Sequence, residues 1–319
     1  MKNMFTSSKT VLYLCVMWLL AMGHLPAAFG QINYLGQEPP QNQAVLFAKG
    51  VVSTDAYEHS APAFSPDGSR VLWTIMRSDY TGHLVEMTFA KGQWSKPAPP
   101  SFASTDADDY YPSFAADGQT LYFGSRRKLP NETDKNGKLR LWKVTRQGTG
   151  WTAPVPMDTT LWLFKENFGH SVAQSGNIYF SFPEEGGKML DIAYAQKTKE
   201  GFAPPQRLSG GISTERYEDG PFIAPDESYL IFESDRPEGM EGSIDLYICF
   251  KQKSGEWSKP LNMGPEVNSK FTERFAKVSP DGKYLFFGSN RGGALADIYW
   301  ISANVIDQLK KEWLKTQKR

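Results

Sequence analysis

Five copies of one short unit constrain this chain more than any other feature. YEHSAPAFSPDG (57–68) recurs as DDYYPSFAADG (108–118), ENFGHSVAQSG (166–176), YEDGPFIAPDES (217–228) and TERFAKVSPDG (272–282). With Asp67, Asp117, Ser175, Asp226 and Asp281 as equivalent turn positions, the spacings are 50, 58, 51 and 55 residues. These are blade lengths of a β-propeller and exceed most helical-repeat periods.

Each turn is followed by an aromatic and aliphatic run: VLWTIM (71–76), TLYFGS (120–125), NIYFSF (177–182), YLIFES (229–234) and YLFFGS (284–289). β-Branched and aromatic residues after Asp-Gly or Ser-Gly predict a hairpin at the start of every repeat. A third strand is predicted at HLVEMTF (83–89), LRLWKV (139–144), LDIAYA (190–195), IDLYICF (244–250) and ADIYWIS (296–302). A fourth follows in QWSKPAP (93–99), GWTAPVP (150–156), GFAPPQR (201–207) and EWSKPLN (256–262). Proline suits an outermost strand, whose N–H groups need no partner.

The fifth repeat has no fourth strand of its own, because the chain runs from Ile301-Ser302 into ANVIDQLKKEWLKTQKR. The segment before the first repeat (39–59) ends like GGISTERYED (210–219), so residues 43–52 are predicted to supply the missing strand and close the ring. An open ring would leave two unpaired sheet edges. The fold expected is all-β: a five-bladed β-propeller over 31–302, four antiparallel strands per blade, with an amphipathic helix over 303–319. Six blades, with the N-terminal piece as a degenerate member, is the competing count. Val305, Ile306, Leu309 and Trp313 lie at helical spacing, as a lid on the propeller or as a contact to an anionic surface.

With SPDG, FxS-[DN]-R and DIY in view, the chain resembles the TolB-type, WD40-like β-propeller repeat family of exported bacterial proteins. SPDGKYLFFGSNRGGALADIYW (279–300) and APDESYLIFESDRPEGMEGSIDLYI (224–248) carry the likeness most clearly, and it covers about 57–302. It implies a partner-binding propeller of the envelope.

The first thirty residues read as an address. Lys2 and Lys9 precede or flank the apolar run 11–22, and Ala28-Phe29-Gly30 offers small residues for cleavage. The run is too short to span a bilayer comfortably. A cleaved secretory signal over 1–30 and a periplasmic or secreted mature protein are expected, with no integral membrane segment. Cys249 is then the one cysteine of the mature chain, so no intramolecular disulfide is expected. The 35 basic and 35 acidic residues give no electrostatic reason to expect nucleic acid.

The first strand of each blade lines the channel, so residues just before it fall at the mouth. Glu58, Asp108, Glu166, Glu218 and Glu273 occupy that place and predict an acidic ring. Arg127, Arg236 and Arg291 end the second strand in three blades; Arg77-Ser78 is offset by one residue in blade one, and Pro183-Glu184 replaces the motif in blade three. Each arginine pairs with an acid to knit blades together, or both serve a ligand. His59 and His170 break the repeat beside Glu58 and Glu166, and Trp162 and Phe164 in the insertion 158–170 form either a ligand wall or packing.

Elimination leaves no catalytic signature. Gly169-His170-Ser171-Val172-Ala173 lacks the second glycine of a nucleophile elbow. His59, His83 and His170 show no metal-ligand spacing, and no phosphate-binding glycine loop is present, so neither metal nor cofactor is expected. The reading is a binding module for an envelope protein or for a glycan or small molecule at the channel mouth. The enzymatic alternative is a five-bladed glycoside hydrolase using channel carboxylates.

Overall fold

The computed structural model describes residues 32–317 apart from 78, 80, 130, 131, 134–136, 185–188, 241–243 and 294. The expected signal segment lies outside the described residues. Five antiparallel sheets stand around one axis. Their innermost strands are Tyr57–Phe64, Asp109–Phe114, His170–Val172, Glu218–Ile223 and Glu273–Val278, and neighbouring members of this set touch all the way round the ring. The second strands are Arg70–Met76, Thr120–Ser125, Ile178–Pro183, Tyr229–Ser234 and Tyr284–Ser289, and the third are Gly82–Ala90, Arg140–Gln147, Leu190–Ala195, Asp245–Phe250 and Asp297–Ser302.

The ring closes through the N-terminus. Val45–Leu46 pairs antiparallel with the third strand of blade five, Val45 opposite Trp300 and Leu46 opposite Tyr299. Phe47, fully buried, follows at once and packs edge-on to Phe286 and Trp300. Five blades form, and the N-terminal piece is part of the fifth rather than a sixth.

Each sheet is sandwiched between two others, which is why the second strands are continuously apolar instead of alternating. Trp73, Phe123, Phe180, Phe232 and Phe287, at matching places, are all fully buried. Five apolar clusters fill the five blade-to-blade interfaces, the one between blades five and one joining Phe64, Val71 and Trp73 to Phe286, Ile298 and Trp300. The helix Asn304–Thr316 buries Val305 and Ile306 in the cluster of blades four and five, and Trp313 stacks on Phe250 with ring centroids 5.3 Å apart.

The outer strands are shorter than the sequence suggests. Gln93–Trp94, Gln206–Arg207 and Leu261–Asn262 have two residues each, and blade two splits its outer position into Gly150–Trp151 and Val155–Pro156. Pro97, Pro99, Pro154, Pro204, Pro205 and Pro260 remove donors there, so the ladder cannot extend. The hairpin turns use positive φ at Gly68 (68°) and Gly282 (73°), whereas blade four places Glu227 there at 58°. Glu227 accepts from Ser175 Oγ (2.6 Å), Asn177 Nδ2 (3.0 Å) and Tyr179 OH (2.8 Å) of blade three. Those bonds offset the backbone strain.

Candidate functional site

The acids and arginines of the repeat form a clamp inside single blades. In blade four, Glu218 stands opposite Ser234, and Arg236 follows two residues on. Glu218 accepts from Thr214 Oγ1 (2.6 Å), Thr214 N (2.9 Å), Ser234 Oγ (3.2 Å) and Arg236 Nη2 (3.1 Å). Arg236 is folded back by its Nε donating to Ser234 Oγ (3.1 Å), and also donates to the carbonyls of Gly211 and Ile212. Blade five repeats this with Ser269, Glu273, Ser289 and Arg291, Arg291 Nη2 lying 2.9 Å from Glu273. Blade two repeats it with Asp109, Ser125 and Arg127.

The expected acidic ring therefore does not form. Glu58, Glu218 and Glu273 are fully buried within their blades rather than facing one axis. In blade two the clamp acid is Asp109, while Asp108 accepts from Tyr110 OH at 3.1 Å. In blade three the matching position is Asn167, whose Nδ2 donates to Leu161 O, and Glu166 instead takes Arg126 Nη1 (3.1 Å) and Leu139 N (3.0 Å). His170 is buried, and burial, with Lys277 nearby, lowers its pKa to about 3. Phe164 stacks on Phe182 at 3.8 Å and Trp162 lies under Arg140, both packed on the core between blades two and three.

Blade one breaks the clamp. Glu58 stands opposite Ile75, so Ile75 occupies the place of Ser125, Ser234 and Ser289, and Arg77 is in register with Arg127, Arg236 and Arg291 rather than offset. Ile75 has no oxygen to fold the guanidinium back. Arg77 is exposed, and among the described residues its Nη1 reaches only Thr81 Oγ1, at 3.5 Å. Glu58 keeps Thr54 Oγ1 (2.6 Å), but its Oε2 is buried without a partner among the described residues. Burial pushes the carboxyl up to about 7, against the hydrogen bonds from Thr54.

A cleft of about 740 Å³ opens where the clamp fails, between blades five and one. Its lining includes Asp55, Tyr57, His59, Ile75, Met76, Arg77, Thr272, Arg274, Asn290 and Leu295. Of the site residues expected from sequence, only His59 lines it. His59 sets Nε2 3.3 Å from Tyr111 OH, and burial, followed by the charge of Arg274, lowers its pKa to about 3, so the ring is neutral.

Arg274 comes from the position directly after the clamp acid. A bulge there puts Phe275 at φ 46°, as it puts Tyr111 at 54° and Gly220 at 60°, and Arg274 lines the cleft. That position holds His59, Tyr110, Asp219 and Arg274 in different blades. Its variation against an otherwise repetitive background is the signal that could have found Arg274. Behind the cleft, Asp219 accepts from Tyr217 OH (2.8 Å) and Gly220 N (2.6 Å), and Glu233 accepts from Phe275 N (2.7 Å). Burial raises both carboxyls, Glu233 to about 8 despite Arg274 nearby. Deeper on the axis, Lys277 Nζ donates to Ala61 O (3.1 Å) and Pro112 O (2.7 Å), tying blade five to blades one and two.

Among the described residues, no group of three or more His, Cys, Asp or Glu is placed to hold a metal ion, and no helix is long and apolar enough to cross a membrane. No family model and no curated protein matches the chain. Solved structures do. A putative TolB from Agrobacterium tumefaciens is 20% identical over 78% of this chain and 78% of its own, with a TM-score of 0.49. A structure described as a glycoside hydrolase is 10% identical over 85% of this chain and 93% of its own, with a TM-score of 0.54. An endo-arabinase from Bacteroides thetaiotaomicron is 14% identical over 79% of this chain and 95% of its own, with a TM-score of 0.50. The likeness is one of fold, and that fold is a five-bladed β-propeller.

Proposed function

We propose that this chain is a non-catalytic binding propeller, exported through its N-terminal signal, that takes its ligand in the cleft between blades five and one. The observation that carries this reading is the coincidence of the cleft with the broken clamp. Three blades lock their arginine into the core, blade three has no arginine at that place, and blade one, whose Arg77 is not locked, borders about 740 Å³ of accessible space. A pocket of that size with convergent polar groups is the ordinary form of a ligand site.

Similar structures include proteins named as glycoside hydrolases, and that chemistry uses two carboxylates about 5–9.5 Å apart on either side of a sugar. The acids here are withdrawn from any such substrate. Asp219 and Glu233 are 2% and 0% exposed, and Asp55 is the one carboxylate among the described lining residues. Binding without turnover fits this arrangement better.

The test is a substitution that fills the cleft. The nearest atoms to a Cβ on Gly288, which lines it, would be backbone oxygens of Arg274, His59 and Glu58 at 3.6–3.7 Å, ordinary contact distances. Gly288→Leu is expected to keep the fold and abolish retention of any ligand found on a glycan and peptide array. Release of reducing ends from any glycan by the purified wild type would overturn the reading.

A further inference from the structure

The cleft has an unusual charge balance. Two guanidiniums, Arg77 and Arg274, line it with one carboxylate, Asp55, while the His59 imidazole is neutral. In the other clamped blades the residue matching Arg77 is consumed by a buried acid and by backbone carbonyls. In blade one that guanidinium has, among the described residues, the 3.5 Å approach to Thr81 and the charge of exposed Asp79 nearby, with no buried acid to hold it.

Arg274 is likewise under-used. Its Nε lies 3.7 Å from Glu233 Oε1, beyond hydrogen-bond length, and is buried without a hydrogen-bond partner. Its guanidinium rests over the Tyr217 ring at 5.6 Å, which fixes its plane without satisfying its donors. Burial raises the carboxyls of both acids behind it, Glu233 and Asp219, which weakens their hold on the guanidinium. Planar forks of N–H donors left open in a half-enclosed site match carboxylate geometry in pairs.

We infer that the ligand of this cleft carries a carboxylate, received by Arg77 and Arg274 at the channel mouth. The inference rests on the cleft being the binding site. Ile75, Met76 and Leu295 form an apolar wall for the remainder of the molecule, Leu295 being 49% exposed. A hexuronic acid, with its C–H face on that wall, and a peptide C-terminus both present this chemistry.

The experiment uses the full chain and titration calorimetry with matched probes: glucuronate-terminated disaccharides and apolar tripeptides with a free C-terminus, each beside its methyl ester. One acid series is expected to bind at least about tenfold more tightly than its ester, since a hydrogen bond to a charged group is worth about 1.5–3 kcal/mol. Which series binds identifies the source. Arg77→Ala is expected to lower acid affinity about 10- to 100-fold and to leave the ester unchanged, and Arg77→Lys to recover part of the loss because charge returns without the fork. Arg77 is exposed, so these variants keep the fold. Equal binding of acid and ester, an Arg77→Ala variant with wild-type acid affinity, or no binding of either acid series overturns the inference. A neutral ligand that binds wild type and is lost in Gly288→Leu would still uphold the cleft as the binding site; absence of every ligand from the array would remove both.

Discussion

Replacing Glu58 with glutamine should stabilise the protein at pH 8 and leave it unchanged at pH 5. The carboxyl is fully buried and has Thr54 Oγ1 at 2.6 Å, but Oε2 is unpartnered where blades four and five supply the N–H of Thr214 and Ser269, and no guanidinium stands in for Arg236 or Arg291. Burial raises its pKa from the ordinary 4.5 to about 7. Between those values the native state holds a proton that the unfolded chain has released, so stability falls as pH rises through this window and the loss is complete above it. The interval corresponds to about 3 kcal/mol as a ceiling. Water in the adjoining cleft screens part of the charge, so about 1–2 kcal/mol is expected. The amide that replaces the carboxyl does not titrate and keeps an oxygen for Thr54. Urea unfolding of wild type and Glu58→Gln at pH 5 and 8 reads the difference directly. Glu273→Gln is the control in the intact clamp: it leaves Arg291 without its charge partner and should destabilise by about 3 kcal/mol at either pH. A Glu58→Gln variant less stable than wild type at pH 8, or a gain of equal size at both pH values, would refute the reasoning.

The broken clamp also predicts that Arg77→Ala shifts unfolding free energy by less than about 0.5 kcal/mol, whereas Arg291→Ala costs about 3 kcal/mol; denaturant midpoints compare them. Phe47→Ala should cost about 3–5 kcal/mol, because this fully buried ring anchors the closing strand, and limited proteolysis should then cut first near residues 45–50. Burial lowers the Lys277 pKa from 10.5 to about 7. The unfolded chain therefore holds the extra proton between those values, and wild-type stability should rise with pH across them. Lys277→Met should abolish that rise and, by orphaning the carbonyls of Ala61 and Pro112, cost about 2 kcal/mol at pH 9 in urea unfolding.

The fold was legible because its determinants are local and repeated. Turn chemistry such as SPDG and runs such as YLFFGS mark hairpins in each copy, and the missing fourth strand of the last copy points to the N-terminus for closure. The outer strands were legible in place and not in length, since the prolines that mark them also cut the ladder. In blade two the clamp acid is Asp109, one residue after the Asp108 read from sequence, and in blade three the place is held by uncharged Asn167. The innermost strands carry bulges, between Tyr110 and Ser113, Asp219 and Phe222, and Arg274 and Lys277. A bulge shifts which side chain faces inward without altering the apolar pattern from which register is read. The same shift hid Arg274 behind Glu273, and the opposition of Ile75 to Glu58 is a pairing between strands that no local pattern reports.

Two departures from the repeat separate structural from functional change by what becomes of the displaced polar groups. Glu227 replaces the turn glycine at φ 58°, and its carboxylate then accepts three hydrogen bonds from blade three. Ile75 replaces the clamp serine, and both the Glu58 carboxyl and the Arg77 guanidinium are left short of partners beside open space. Buried polar groups are as a rule paired; Glu58 Oε2 shares its lack of a partner with other buried atoms of the described residues, such as Asp191 Oδ1, and is set apart by the unclamped guanidinium and the cleft beside it. The criterion can be tested on the compensated case. Glu227→Gly relieves a backbone conformation that favours glycine, worth about 1 kcal/mol, yet removes the cross-blade bonds, so the variant should be less stable by about 1–2 kcal/mol in urea. If it is instead more stable, those bonds do not offset the strain, and the contrast that assigns the cleft beside Ile75 to a ligand loses its basis.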